Sequence, residues 1–183
     1  MEGYVLHSTN LFIRLVQQSD LSDIHTLHSL PETDEYNTLG IPNDLDETKS
    51  IVNEMVQNNK KMAKTNLTFA IELKNSRQFI GLLGLKLGAV KYKSGEIWYK
   101  LNSQFWNKGY ATEAVKQIII FGFDNINLHR IEAGCAIQNI GSIRVLEKAG
   151  MIKEGRKRKV LPLKSGWTDN YEYAILDSDR KDK

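Results

Sequence analysis

The segment Trp106-Asn107-Lys108-Gly109-Tyr110-Ala111-Thr112-Glu113-Ala114 limits what this chain can fold into more than any other. It joins a strand pattern, Glu96 to Leu101, to an apolar helical pattern that runs to about Phe123. The small residues fall where that helix begins. A helix start leaves backbone N–H groups unpaired and carries about half a positive charge, so an anion can settle there once side chains stop blocking the approach. Gly109 and Ala111 remove the obstruction, although a Gly at such a place also serves an ordinary turn.

A second unit of the same kind follows. The strand pattern Arg130 to Ile137 runs into Asn139-Ile140-Gly141-Ser142-Ile143-Arg144-Val145-Leu146-Glu147-Lys148-Ala149-Gly150-Met151. Asn139 stands where a helix N-cap is expected, a contribution of ~1 kcal/mol. Lys148 and Gly150 suit the last turn and the C-terminal stop.

This pair of motifs resembles the GCN5-related N-acetyltransferase (GNAT) superfamily, and most closely its ribosomal-protein N-terminal acetyltransferase (Rim-type) branch. There the first motif reads Trp-x-x-Gly-Tyr-Ala-x-Glu-Ala and the second Asn-x-x-Ser-x-x-x-x-x-Lys-x-Gly. Thr9 to Leu15 with Ser19-Asp20, and Phe79-Ile80-Gly81-Leu82-Leu83-Gly84, match the family's opening and its third strand, so the resemblance covers nearly the whole chain. It implies an α/β fold with a mixed, mostly antiparallel central sheet. In that fold the fourth and fifth strands, here those before Trp106 and Asn139, splay apart around the thioester end of acetyl-CoA.

The remaining pattern agrees with one domain over 1–183. Leu11, Ile13 and Leu15 alternate as a first strand, and Ser19 is placed to cap a helix presenting Leu21, Ile24, Leu27, His28 and Leu30. Residues 31–45 read as irregular, Glu47 to about Lys64 as a helix, and Leu67–Leu73, Gln78–Val90 and Gly95–Asn102 as antiparallel strands. Two more strands fall near Met151–Val160 and Thr168–Leu176, and Asp177–Lys183 is a polar tail expected to fray.

Composition excludes several classes. The 183 residues are 41% hydrophobic and 26% charged, average for a globular protein, with no apolar run near ~20 residues and no basic-then-apolar leader. A cytoplasmic location without membrane attachment is expected. One cysteine, Cys135, forms no internal disulfide and reads as a small buried strand residue. The net charge of +3 argues no nucleic-acid role, and the basic run from Lys153 to Lys164 reads as a solvated strand or loop. His25 and His28 share a helix face but lack a third ligand, so no metal is expected.

The resemblance assigns roles. Acetyl-CoA is the expected co-substrate, its diphosphate held by backbone N–H groups across Asn107, Lys108, Gly109, Tyr110, Ala111 and Thr112. Trp106 stands where most of the family has Gln or Arg, as Rim-type members often do. Asn139 would also bond the pantetheine arm, Ser142 would protonate the leaving sulfur unless it is merely solvated, and Lys148 would meet the 3′-phosphate unless it only finishes its helix. A bulge around Tyr99 to Leu101 would free an N–H for the acetyl oxygen. Trp98 replaces the usual Gly and either narrows the acceptor end or packs on the core. Glu96 matches the base of histone-acetylating members, against the plain reading of an exposed strand carboxylate. Leu161 stands where one Rim-type member has a glutamate base.

The acceptor is expected to be a primary amine, with a protein N-terminus favoured. At pH ~7.4 a lysine-like amine is ~0.1% neutral, whereas an α-amine is about a quarter neutral, so a weak base suffices for the latter. A small-molecule amine such as a polyamine, amino acid analogue or antibiotic is the rival acceptor. The acidic residues Glu32, Asp34, Glu35, Asp44 and Asp46 would attract either. A silent CoA-binding or partner-binding module is the non-enzyme alternative, and family precedent suggests a homodimer.

Overall fold

A computed structural model describes residues 4–61 and 65–180. Eight strands form one sheet in the order β1-β2-β3-β4-β5-β6-β8-β7. They are β1 (Val5–His7), β2 (Leu11–Leu15), β3 (Asn66–Leu73), β4 (Phe79–Leu87), β5 (Ser94–Leu101), β6 (Arg130–Ala136), β7 (Ile152–Leu163) and β8 (Gly166–Leu176). The helices are α1 (Leu21–His28), α2 (Pro31–Asp34), α3 (Leu45–Lys60), α4 (Tyr110–Asp124) and α5 (Ile140–Lys148). The expected fourth and fifth strands are β5 and β6, because β1 precedes the strand read as first.

Every strand pairing is antiparallel except that of β5 with β6. That parallel pairing covers Ser94↔Arg130, Gly95↔Ile131 and Glu96↔Glu132 and then stops. From Ile97 onward β5 runs beside β4 alone while β6 continues beside β8, which is the expected splay.

Strand alternation sorts side chains onto two faces. Phe69, Leu83, Leu85, Ile97, Leu101, Ala133 and Cys135 pack with Ala114, Val115, Ile118 and Phe121 of α4 and Leu146 of α5. On the other face Ala70 and Leu82 meet Ile24 and Leu27 of α1 and Val52 and Val56 of α3. The sheet thus separates an α4–α5 side from an α1–α3 side, and the split between β5 and β6 joins them.

Several expectations are corrected. No bulge interrupts β5 against β4, whose partners run without a shift from Leu87↔Gly95 to Gly81↔Leu101. Ser19 lies inside a 3-10 turn, Gln18–Asp20, and the acceptor there is the Asp20 carboxylate, which takes the Gln17 N–H at 2.8 Å and pairs with Arg14. The segment after α1 is not wholly irregular, since Pro31 opens α2. The tail is ordered through Arg180, which pairs with Asp124, while Asp177 donates its N–H to the His129 carbonyl. The expected end of the second helix at Lys64, and residues 181–183, lie outside the described residues.

Candidate active site

Main-chain geometry at the start of α4 is the first component. Gly109 is the N-cap at φ +84°, and Asn107 two residues earlier is also left-handed at φ +59°. No side chain caps this helix, and the first intrahelical bond is Glu113 N–H to the Gly109 carbonyl. The N–H groups of Tyr110, Ala111 and Thr112 therefore point out of the helix end without a capping side chain. A Cβ built on Gly109 meets nothing within 4 Å. Its φ favours glycine, and the position a Cβ would take is open.

The loop is fixed from both ends. Trp106 donates its indole N–H to the Leu101 carbonyl at 2.8 Å, and Lys108 stands 5.3 Å from the Phe105 ring centre. Glu113 accepts the Asn10 main-chain N–H at 2.7 Å and its side-chain amide at 3.0 Å, tying the first turn of α4 to the β1–β2 turn. Sequence reasoning assigned Glu113 no such role.

The second component lies across the split. Asn139 is the N-cap of α5, accepting the Ser142 N–H at 2.9 Å, which leaves its amide N–H2 group for another acceptor. The Ser142 hydroxyl is 2.6 Å from the Tyr99 hydroxyl, so β5 and α5 are bridged by two proton-carrying groups at the point where the strands have parted. Burial drives the Tyr99 phenol well above its usual range, against the lowering effect of the Ser142 bond. Cys135 joins this cluster, its thiol raised by burial to about 11 and lowered in part by Ser142, so it stays protonated and is no nucleophile. Lys148 is exposed in the last turn of α5, at the end remote from Asn139, and a left-handed Gly150 follows it.

Main-chain N–H groups of β5 are left without a strand partner by another route than a bulge. Asn102 donates to Ile80 and Gly88 donates to Ser94, so even-numbered residues of β5 bond to β4. Tyr99 and Leu101 consequently aim their main-chain N–H groups toward β6, where the splay has removed the strand that would accept them. These N–H groups lack a β6 partner because that pairing stops at Glu96, not because of a bulge.

Glu96, Trp98 and Lys100 occupy the α1–α3 face. Glu96 is exposed at the last position where β5 and β6 still pair, beside Glu132 and Lys86, and is not brought to Ser142. Trp98 is not a core residue: it is 39% exposed and lies across Gly84 of β4, where any Cβ would fall about 2.0 Å from the indole. Lys100 is buried, and His28, which sequence reasoning set aside, is buried near it. The basic run of β7 is a solvated strand edge with Arg156 on Asp169 and Lys157 on Glu172. Tyr171 and Tyr173 pack on the core while Trp167 is exposed. Among the described residues no group of His, Cys, Asp and Glu is arranged to hold a metal, and no helix is long and apolar enough to cross a membrane.

This split sheet, with an uncapped helix start beside it, is the acetyltransferase arrangement, and residues 10–152 match the acetyltransferase (GNAT) domain family model. The chain belongs to that family. It is an N-acetyltransferase by family. The uncharacterised N-acetyltransferase YnaD of Bacillus subtilis is 46% identical over 84 residues, a match that spans only 46% of this chain and 49% of that protein. A GNAT-family acetyltransferase structure from Bacillus anthracis superposes with a TM-score of 0.83 at 30% identity, covering 96% of this chain and 99% of the other. Two further structures share the fold at 22% identity each. Mycobacterium smegmatis RimJ with CoA-disulfide has a TM-score of 0.87 and coverages of 99% and 90%. Vibrio cholerae spermidine N-acetyltransferase with CoA and spermine has a TM-score of 0.83 and coverages of 94% and 98%.

Proposed function

We propose that this acetyltransferase moves the acetyl group of acetyl-CoA directly onto an α-amine, in a ternary complex. The carrying observation is the set of open N–H groups at Tyr110, Ala111 and Thr112, set at one end of a split whose other wall holds Ser142. The diphosphate rests on those groups and on the loop from Asn107, with Trp106 fixing the loop, and the Asn139 amide bonds the pantetheine arm. Lys148 is assigned to the 3′-phosphate.

Chemistry then divides between the two faces. The thioester oxygen is held by the Tyr99 and Leu101 N–H groups, which act where negative charge develops. The amine enters from the α1–α3 side, its ammonium proton passing through water to Glu96. As the new C–N bond forms and the C–S bond breaks, the nitrogen gives its second proton to water, and the thiolate takes one from the Tyr99–Ser142 pair, which water then reprotonates. A phenol held neutral by burial is a suitable donor to a thiolate.

An α-amine needs only the weak base that an exposed carboxylate provides. A polyamine acceptor, the substrate named for the Vibrio cholerae relative, is the second reading, favoured by the acidic segment after α1. Part of that acidity is committed: Asp44 caps α3 and Glu32 accepts from Ser103 at 2.6 Å. The test is thiol release from acetyl-CoA against N-terminal peptides, free amino acids, spermidine and aminoglycosides, with mass detection of the acetylated product. Release without any acetylated amine would overturn the proposal.

A further inference from the structure

Three buried side-chain atoms among the described residues have no hydrogen-bond partner: His28 Nδ1, Asp34 Oδ1 and Lys100 Nζ. Their residues are 2%, 7% and 8% exposed, so none is served by bulk water. They also share one place. The Lys100 charge acts on His28, and the Asp34 charge acts on Lys100, yet Lys100 and Asp34 form no ion pair. Three unpaired polar groups drawn from α1, α2 and β5 thus lie within electrostatic reach of one another.

Buried polar groups are almost always paired in native proteins, and an orphan is costly, so a cluster of three calls for a partner from outside the chain. The position says which. Lys100 sits between Tyr99 and Leu101, whose N–H groups face the split, and its side chain lies on the face from which the amine must arrive. α2, which carries Asp34, is four residues long and is tied past the end of β5 by the Ser103 hydroxyl, which donates to Glu32.

The complement of a lysine, a carboxylate and an uncharged imidazole is a molecule bearing both an ammonium and a carboxylate. Resting on the transfer proposed above, we infer that the acceptor is an α-amine with a carboxylate close by, the ammonium meeting Asp34 and the carboxylate meeting Lys100. His28 takes a remaining N–H. A polyamine leaves Lys100 unpaired and brings more positive charge to it. A peptide beginning with Asp or Glu supplies the carboxylate from its side chain and keeps an α-amine that a weak base serves; a free amino acid supplies it at Cα but carries a more basic amine.

The experiment measures thiol release at saturating acetyl-CoA from matched pairs: L-amino acids against their carboxamides, and peptides beginning with Asp or Glu against those beginning with Asn or Gln, with spermidine alongside. Loss of one charge-assisted contact corresponds to ~10- to 100-fold in kcat/KM, the preference expected for the carboxylate member of the favoured pair series. Lys100→Met should abolish that preference and Lys100→Arg should restore part of it. The inference is overturned if amides, neutral peptides or spermidine serve as well as the acids, if Lys100→Met keeps the preference, or if no carboxylate acceptor releases thiol. In each of those cases the acetyltransferase reading survives provided CoA still binds; a chain that binds no CoA removes the reading itself.

Discussion

The Tyr99 hydroxyl lies 2.6 Å from the Ser142 hydroxyl, a bond across 43 residues of chain that spans the gap between β5 and α5. It is formed where β5 has lost β6 as a neighbour, and it puts two proton carriers where a thiolate would leave.

Removing either hydroxyl should therefore slow the chemical step and spare cofactor binding. Tyr99→Phe and Ser142→Ala are each expected to lower kcat by ~100-fold or more, the usual scale for a lost proton donor, with the dissociation constant for acetyl-CoA changed by less than about twofold. Single-turnover kinetics together with calorimetry separate the two quantities. Because the phenol is pushed far upward, Tyr99 stays protonated and no basic limb from its ionisation appears below about pH 10.

Glu96→Gln is expected to lower turnover while leaving cofactor affinity intact. Glu96 stands on the α1–α3 face, away from Ser142, so its loss should add to that of Ser142 with little coupling. A double-mutant cycle on kcat checks this.

Gly109 is left-handed at φ +84°, a conformation that costs a residue with a Cβ roughly 1–2 kcal/mol. Gly109→Ala should cost about that much in stability by thermal unfolding, and Gly109→Val more. The Ala variant is the better probe of phosphate access, since its Cβ meets open space in the free protein. CoA affinity measured on the folded Ala variant should drop.

Burial holds His28 down to about 4 from an unfolded value of 6.5. Between those values the unfolded chain binds a proton that the folded chain refuses, so stability rises with pH across the window and is lost on acidification below about 6.5. The paired carboxylates Glu113 and Glu154 have lowered folded values, and their contribution is lost only below the unfolded value of 4.5. Denaturant unfolding from pH 4.5 to 6.5 should therefore show a slope that His28→Leu flattens. Lys100, lowered to about 8 from 10.5, acts at the other end: the unfolded chain holds the extra proton between those values, so stability rises again from about pH 8 to 10.5, and Lys100→Met removes that rise.

Local chemistry made much of the frame legible. Asn139 caps α5 because a short polar side chain three residues before an N–H is a local device. Gly150 ends the same helix, with the Met151 N–H reaching Leu146 and the Gly150 N–H reaching Glu147. Val5–His7 gives no usable alternation because it holds only three residues, and Ser19 next to Asp20 leaves the start of α1 ambiguous by one position. The free N–H groups of β5 depend on which strand departs, a tertiary fact that a local bulge was expected to supply. His28, Asp34 and Lys100 meet only after α1, α2 and β5 are assembled, and a lysine alternating with an exposed Glu96 reads like any solvent-facing residue.

The central claim is that the first-turn amides of α4 hold the diphosphate of CoA. A CoA titration followed by amide nitrogen NMR tests it most directly. The largest shifts should fall on Tyr110, Ala111 and Thr112, with Gly109 beside them. If those amides stay still while CoA binds and shifts appear elsewhere, the account of this site is wrong.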